Sequence, residues 1–457
     1  MKKNLLLAFA AVCALSASAQ EFTVNGITFN VLDEEAATVE IAPGDYNGKT
    51  IATNGTTTTV TYNDKTYNIV AIGKNAFRNA TVAIGTGVAW FDANIAYIGE
   101  NAFTGTTIAS SNTLTASANR PCFRGTTVNW HPKAFVGNNI RSFQFLNDAR
   151  YMNFTETQNL GGTSYQHVGV VMSKDHKTFY VYPGDRRTGK NCDGGLFSTY
   201  TMWSEVEVIA PYAFSENVSL NTVTLNAALT TIGEEAFSHS ALTSFTVPAN
   251  VTTLGPGFIA GAKNITAIGV AEDNANFQAI DGCVYTKVAE AAPALKDAEG
   301  MTLVAVPYGA TILNVAEGTT TIGAKAALDG QLESISIPAT VETIGAEAFK
   351  GNHGITTIYC DAINAPAGAD FEEEVFAAEL TLPENANLDS YYNDPVWSQF
   401  ELPERPSPTG VTDLNTTVTK AQNVYTVDGR LVRQNVTSLE GLDAGLYIFG
   451  GKKVAVK

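Results

Sequence analysis

The sequence lacks most of the patterns that mark catalytic or metal-binding proteins. It has five histidines and five cysteines in 457 residues, and no two cysteines form a CxxC pair. It contains no HExxH, GxSxG or GxxxxGK[ST] motif, which are typical of zinc proteases, serine hydrolases and nucleotide-binding proteins. We therefore expect no catalytic residue, no cofactor and no metal-binding residue, and in particular no structural zinc site.

Basic residues are also scarce. The chain has 28 Lys and Arg against 45 Asp and Glu, a net charge of −17. A strongly acidic surface repels nucleic acid and anionic lipid, so we expect neither as a partner. The acidic residues are dispersed, with the densest cluster at Glu372 to Glu374. We interpret the charge as a solubility feature.

Long apolar runs are confined to the N-terminus. Two lysines precede the run LLLAFAAVCALSA, and the ASA that ends at residue 19 has the small-x-small pattern of a signal peptidase site. We predict a signal peptide over residues 1–19 and a mature chain that begins near Gln20. No later run reaches the roughly 18 residues that a membrane-spanning helix needs. A lipoprotein acylated at Cys13 is the less favoured alternative, because the bulky Val12 precedes that cysteine.

The four cysteines of the mature chain are far apart in sequence, with gaps of 70, 91 and 77 residues. Two of them, Cys283 and Cys360, stand among strand-forming residues, which favours buried free thiols over disulfide bonds. In an oxidising compartment, sequence alone leaves a disulfide bond open for Cys122, Cys192, Cys283 and Cys360.

What the sequence has in abundance is repetition. An IGxxAF phrase or a close variant begins at Ile72, Ile98, Ile209, Ile232, Ile322 and Ile344. Steps of 22 and 23 residues separate the closest copies after residue 200. A degenerate copy, LGPGF, begins 22 residues after Ile232. A period in the low twenties is typical of a solenoid, in which each repeat buries its apolar face against the next.

Each repeat combines a strand with a return segment. Segments such as LTSFTVP and LESISIP alternate apolar and polar residues, which predicts short strands with one buried face. The VxxIGxxAF half suits an irregular or short helical return. In TIGEEAF, we expect Ile232, Ala236 and Phe237 to form one rung of the core, while Glu234 and Glu235 face water. The equivalent residues of TIGAEAF should form a rung in the same way.

These repeats resemble the BspA-like leucine-rich repeats of surface proteins from Bacteroidota. The resemblance rests on units such as TIGEEAFSHSALTSFTVPANVTTLG and TIGAEAFKGNHGITTIYCDAINAP. NFQAIDGCVYTK, from Asn276 to Lys287, and GVVMSKDHKTFYVYPGD, from Gly169 to Asp185, are similar to the hairpin-like insert of that family. The resemblance implies a β-rich α/β solenoid, a leucine-rich repeat array of about 22–23 residues per turn. It also implies an N-terminal β cap over residues 20–68 and an array over residues 69–400.

One part of the array is irregular. Between about residues 109 and 207 the period is lost, apart from WHPKAF, which is a candidate degenerate copy of the phrase. A long ordered insertion here could carry a binding loop. The alternative is a set of degenerate repeats that serve packing alone, and the sequence does not separate the two.

The tail is a separate unit. ELPERPSPTGV predicts a proline-rich linker over residues 401–410. Residues 411–457 predict strands with a turn at Asp428-Gly429. They resemble the C-terminal sorting domain of the type IX secretion system, a small β-sandwich-like domain. That resemblance implies passage across the outer membrane by the type IX machinery, with cleavage of the tail and attachment at the surface. The alternative is a terminal β module with no transport role.

Binding remains as the predicted function. Solenoids use the broad face formed by the polar residues of successive strands. On this face we expect Thr222, Thr224, Ser244, Thr246, Ser334, Ser336, Thr357 and Tyr359, although Ser and Thr are also ordinary residues of exposed strands. We predict an exported, non-catalytic adhesion module, on the outer-membrane surface or extracellular, that binds a host extracellular protein or glycan. The alternative is a structural protein that assembles with bacterial envelope components.

Overall fold

The structure is a computed structural model of the chain. It describes residues 20–48, 58–84, 95–110, 122–123, 128–140, 143–145, 148, 150–160, 163–186, 195–287, 300–404, 412–413, 421–439, 441–449 and 452–456. The predicted signal peptide, Cys192 and residues 405–410 of the predicted linker lie outside the described residues. The chain divides into two compact units, Met1–Glu401 and Leu402–Lys457.

An N-terminal cap begins the first unit. Its strands are β1 Glu21–Val24, β2 Ile27–Asp33, β3 Thr38–Ile41, β4 Thr59–Tyr62 and β5 Lys65–Ile72. Strands β1, β2 and β3 pair antiparallel, and β4 pairs antiparallel with β5. Strand β3 pairs in parallel with β5, which ends at the isoleucine of the first IGxxAF phrase. The cap therefore covers the edge of the array and continues its sheet, as terminal caps of repeat proteins must.

Two rows of strands run along the array. We call the strands that end at the first residue of each phrase the phrase strands, and those from the alternating segments the face strands. The next strands are β6 Thr81–Ile84, β7 Tyr97–Ile98, β8 Thr107–Ser110, β9 Cys122–Phe123, β10 Asn129–Trp130 and β11 Gln144–Phe145. Phrase strands β5, β7 and β10 pair in parallel, as do face strands β6 and β8. WHPKAF is therefore confirmed as a repeat, and its Phe135 stacks on Phe103 at 5.4 Å.

The irregular stretch is part repeat and part insertion. After the WHPKAF repeat, strands β12 Tyr151–Leu160 and β13 Thr163–Ser173 form an antiparallel hairpin, and β14 Thr178–Val181 pairs antiparallel with β13. Strand β14 also pairs in parallel with the next phrase strand, so the hairpin joins the sheet of the array. The predicted insert at Gly169 to Asp185 is confirmed. The strands that follow are β15 Thr199–Thr201, β16 Val208–Ile209, β17 Thr222–Thr224, β18 Thr231–Ile232, β19 Phe245–Val247, β20 Thr253–Leu254 and β21 Ile268–Val270.

A second, shorter hairpin interrupts the array after β21. It consists of β22 Phe277–Ile280 and β23 Cys283–Thr286, which pair antiparallel. Asp281 and Gly282 join them with φ values of 50° and 77°, the left-handed backbone that two-residue hairpin turns need. The predicted insert at Asn276 to Lys287 is thus confirmed.

The last repeats complete the array. Their strands are β24 Met301–Ala305, β25 Ile312–Asn314, β26 Thr319–Ile322, β27 Ser334–Ile337, β28 Thr343–Ile344, β29 Thr357–Cys360 and β30 Glu379–Thr381. The only helices among the described residues are α1 Leu388–Asn393 and three 3-10 helices, Pro132–Phe135, Glu373–Ala377 and Trp397–Gln399. The return of the WHPKAF repeat is thus a short helix, while the returns of the other phrases take the irregular form. The predicted leucine-rich repeat solenoid is confirmed, and it consists mostly of strands.

Stacked aromatic rings run through the core. Phe214 lies 4.8 Å from Phe179 and 4.9 Å from Phe237, with the ring planes 5° and 9° apart. Ile232, Ala236 and Phe237 are fully buried, so the predicted rung is confirmed. Each phrase adds one such rung, because a single repeat has too few neighbours to bury its own apolar face.

The glycine of the phrase allows close backbone contact. A Cβ on Gly233 would lie 2.4 Å from the Pro211 nitrogen, and one on Gly345 would lie 2.4 Å from the Ala324 nitrogen. Real Cβ atoms do not approach backbone this closely, so only glycine lets neighbouring phrases stack. The left-handed backbone conformation of the phrase lies two residues after Gly233, at Glu235, which has a φ of 46°.

The prediction that Glu234 and Glu235 of TIGEEAF face water was wrong for Glu235, while the Glu234 side chain is 40% exposed. Lys325 Nζ lies 2.7 Å from Glu234 Oε1 and 2.5 Å from Glu235 Oε1, and the Glu235 side chain is only 13% exposed. Gly257 lies between Lys325 and Glu235. Because this glycine has no side chain, Lys325 can reach across the repeat that contains Gly257. Burial of the ammonium opposes protonation, but hydrogen bonds to both carboxylates outweigh it and raise the pKa of Lys325. His239 and Asp329 form a second ion pair across that repeat, with Nε2 and Oδ2 3.0 Å apart.

The second unit is a small sheet. Its described strands are β31 Thr412–Asp413, β32 Gln422–Thr426, β33 Leu431–Val436, β34 Gly445–Phe449 and β35 Lys452–Val456. They form one five-stranded sheet in the order β31-β35-β34-β32-β33, whereas a sandwich has two facing sheets. Val424, Phe449 and Val454 form its buried core. At the Asp428-Gly429 turn, Gly429 has a φ of 88°.

Candidate binding face

The face strands expose every second side chain. In β27, Ile335 and Ile337 are fully buried, while Ser334 and Ser336 between them are half-buried. This alternation follows from the two-residue period of a strand with one side against the core. Side chains at equivalent positions of adjacent strands therefore line up along the outside of the array.

Four consecutive face strands, β25, β27, β29 and β30, pair in parallel register. Their outward residues form two rows. We call these eight residues the C-terminal face: Ile312, Ser334, Thr357 and Glu379 in one row, and Asn314, Ser336, Tyr359 and Thr381 in the other. With neighbouring strands about 4.8 Å apart, each row is about 14 Å long.

A second group of outward residues lies earlier in the array. Strands β15 and β17 are in register, and Thr243 N–H donates to the Asn221 carbonyl at 3.0 Å, which brings β19 alongside. We call the exposed residues of these three strands, with Ser244 directly before β19, the N-terminal face: Thr199, Thr201, Thr222, Thr224, Ser244 and Thr246.

The eight predicted residues do not form one continuous strip. The repeat between the two faces has Ala267 directly before β21 and Gly269 within it, so these outward positions offer no polar side chain. The tip of the second hairpin also lies there, since Ile268 N–H donates to the Gly282 carbonyl at 2.8 Å. The structure therefore brings Thr222, Thr224, Ser244 and Thr246 together on one face and Ser334, Ser336, Thr357 and Tyr359 on the other.

Sequence reasoning missed the residues at the ends of each face. Ile312 and Asn314 precede the predicted residues, and Glu379 and Thr381 follow them. Strand β25 lacks the LxxφxφP pattern, and β30 falls after an irregular segment. Counting one repeat step back from Ser334 reaches Ile312, so the period itself could have identified the first pair.

The C-terminal face combines apolar, aromatic and hydrogen-bonding groups. Ile312 is 63% exposed and Tyr359 is 47% exposed, which is high for such large side chains. Hydroxyl groups, an amide and the Glu379 carboxylate supply donors and acceptors around them. The eight residues include no lysine or arginine, so the face suits a neutral or basic partner better than a polyanion.

The geometry does not suggest a nucleophile at this face. Its hydroxyl groups have no histidine or lysine among the eight residues to act as a base. Cys360 lies on the core side of β29 and is fully buried. Burial raises the pKa of its thiol, although a hydrogen bond with Tyr391 partly opposes this. Cys283 is also a buried free thiol, with its pKa raised to about 12 by burial, as the sequence indicated.

The comparison with protein families identifies the repeats. The BspA type leucine rich repeat region matches six copies, over residues 192–285 and 310–388. These two segments are similar to BspA-type leucine-rich repeats, and together they make up less than half of the chain. The second segment includes all of the C-terminal face, and the first includes all of the N-terminal face. No curated protein matches the chain. Among the described residues, no helix has the length and apolar character to cross a membrane.

Solved structures of other proteins are similar at low identity. A leucine rich cell surface protein from Faecalibacterium prausnitzii A2-165 is 18% identical, with 82% of this chain and 98% of that chain covered and a TM-score of 0.34. A leucine-rich repeat protein from Eubacterium ventriosum ATCC 27560 is 13% identical, with coverage of 87% and 99% and a TM-score of 0.35. The pneumococcal vaccine antigen PcpA is 15% identical, with coverage of 81% and 83% and a TM-score of 0.34. Similarity at this level gives no information about the partner of these BspA-type repeats.

Proposed function

We propose that the protein is a non-catalytic adhesion module of the cell surface, and that its C-terminal face binds a host extracellular protein or glycan. The observation that carries this proposal is the register of four adjacent strands, which lines up eight outward residues around the exposed Ile312 and Tyr359. Rigid parallel strands hold these side chains in fixed positions, so binding costs little conformational entropy. Large aromatic side chains in such a setting commonly contribute most of the binding energy.

A paired set of variants tests the role of this face. We expect Ile312→Lys combined with Tyr359→Ala to weaken binding by about tenfold or more, because the double change removes the apolar centre of the face. Binding of the purified chain to immobilised host matrix proteins and to arrayed glycans is the measurement. The matched control, Thr222→Lys combined with Thr246→Ala on the N-terminal face, should leave binding unchanged.

Circular dichroism and thermal unfolding show whether both double variants remain folded. If only the N-terminal variant weakens binding, the C-terminal face is not the site. If the chain binds the bacterial envelope fraction and no host component, the protein has a structural role in the envelope instead.

We further propose that residues 1–19 direct export and that residues 411–457 direct passage through the type IX secretion machinery. The apolar leader and the strand-rich terminal unit with its Asp428-Gly429 turn support this proposal. The unit from Leu402 contains seven basic and five acidic residues, which gives +2 against −17 for the whole chain. This difference in net charge is consistent with a tail that the secretion machinery recognises separately from the acidic array.

Mass spectrometry of the surface-exposed protein tests the sorting proposal. We expect a chain that begins near Gln20 and lacks about the last 47 residues, the length of 411–457. Deletion of 411–457 should leave the protein in the periplasm. Surface delivery of the truncated chain would contradict the sorting role without affecting the proposed binding face.

A further inference from the structure

Three side chains that commonly bind transition metals meet near the C-terminal end of the array. They are His353, Glu372 and Glu374, which follow consecutive core aromatics, Phe349 and Phe371. The two rings stack at 5.5 Å with their planes 2° apart, so the segments that follow them lie side by side. This group lies outside the eight residues of the C-terminal face.

The spacing of the donor atoms suits a single metal ion. His353 Nδ1 lies 3.4 Å from Glu372 Oε2, and all three donor atoms lie within 4.8 Å of one another. Two ligands at about 2.1 Å from a tetrahedral ion are about 3.4 Å apart. His353 Nδ1 is in direct hydrogen-bond contact with Glu374 Oε1, so this pair would open slightly on binding an ion.

The backbone holds both carboxylates in position. Gly351 N–H donates to Glu372 Oε2 at 2.8 Å, and Glu374 lies within the 3-10 helix Glu373–Ala377. Glu374 also accepts a hydrogen bond from its own backbone N–H. Outer contacts of this kind orient metal ligands and strengthen binding.

We propose that His353, Glu372 and Glu374 bind one Zn²⁺ ion, with the fourth position open to water or to a donor group of a bound partner. The mixed donor set favours Zn²⁺ over Ca²⁺ and Mg²⁺, because Ca²⁺ and Mg²⁺ prefer oxygen ligands alone, while Zn²⁺ binds imidazole and carboxylate together. The histidine is 19 and 21 residues from the two glutamates, so no short metal motif reveals the site. Only the stacking of successive repeats brings the donors together.

Calorimetric titration of the full chain with Zn²⁺ alone tests the proposal. We expect one ion per chain at pH 7.5 and at least about tenfold weaker binding in His353→Ala and in Glu374→Gln, since loss of an outer-shell contact alone costs about 10- to 100-fold. Ca²⁺ should produce no binding heat.

The chain offers a matched control in His176. It pairs with Glu205 at 3.0 Å and does not belong to a group of three metal-binding side chains among the described residues. His176→Ala should therefore retain zinc binding at full strength. Equal weakening in both histidine variants, or no zinc binding in the unaltered chain, overturns the proposal. Unfolding curves without metal establish that each variant is folded.

Discussion

Phe237→Ala should lower the free energy of unfolding by about 3–5 kcal/mol. The Phe237 ring is fully buried between Phe214 at 4.9 Å and Phe245 at 5.1 Å. Its own backbone N–H donates to the Phe258 carbonyl at 2.7 Å, which fixes the rung in place. The stack cannot close around the missing ring, so a cavity remains in the middle of the core. Urea denaturation followed by circular dichroism measures the loss.

Two other substitutions check that the loss comes from the cavity. Phe237→Leu retains much of the side-chain volume and should lose clearly less free energy than Phe237→Ala. Thr246→Ala on an exposed strand position of the next repeat should change it by no more than about 0.5 kcal/mol. If Phe237→Ala behaves like Thr246→Ala, the ring does not belong to a sealed stack.

Trp397→Ala should have a comparable effect at the other end of the array, about 3–5 kcal/mol. Trp397 is fully buried and packs 5.6 Å from Phe371, the last stacked aromatic of the repeats. Its indole Nε1–H donates to the buried Pro366 carbonyl at 2.9 Å, and loss of that donor adds desolvation cost. Thermal unfolding measures the destabilisation.

The same change should also promote self-association. Helix α1 and the 3-10 helix Trp397–Gln399 close the array after β30, and an uncovered repeat end is an open site for pairing with other chains. Light scattering should therefore detect oligomers in Trp397→Ala. Trp203 is the matched control, since it is 38% exposed, and Trp203→Ala should remain monodisperse with less than about 1 kcal/mol lost. A monodisperse Trp397→Ala of full stability contradicts the closing role.

Much of the fold could be predicted from sequence because each repeat contacts mainly its neighbours. The phrase at Ile232 predicted a buried rung, and the hairpin at Asn276 to Lys287 was identified from its local pattern. The sequence did not show which part of the irregular stretch is repeat and which is insertion. WHPKAF adopts the fold of a repeat although it shares few residues with the IGxxAF phrase. Its Phe135 still stacks on Phe103, so packing preserved the repeat after the sequence signal had weakened.

The candidate site was only half predictable. Strand alternation identified outward residues such as Ser334 and Tyr359, since the two-residue period is a local property. It did not indicate that Ala267 and Gly269 divide the face, or that Ile312 extends it. Which strands are adjacent depends on where the second hairpin interrupts the array, and that is a property of the whole stack.

The sequence by itself determined the repeat, its period, the core rungs and the outward direction of the face residues. These features depend on apolar spacing within one repeat and on burial against the next. Both are set by residues that are close together in the sequence. The tertiary structure decided the contacts that reach further. Lys325 meets Glu234 and Glu235 across a whole repeat because Gly257 has no side chain, and His353 meets two glutamates because adjacent rungs stack. Charged side chains follow no period of their own, so only the stacked array determines their partners.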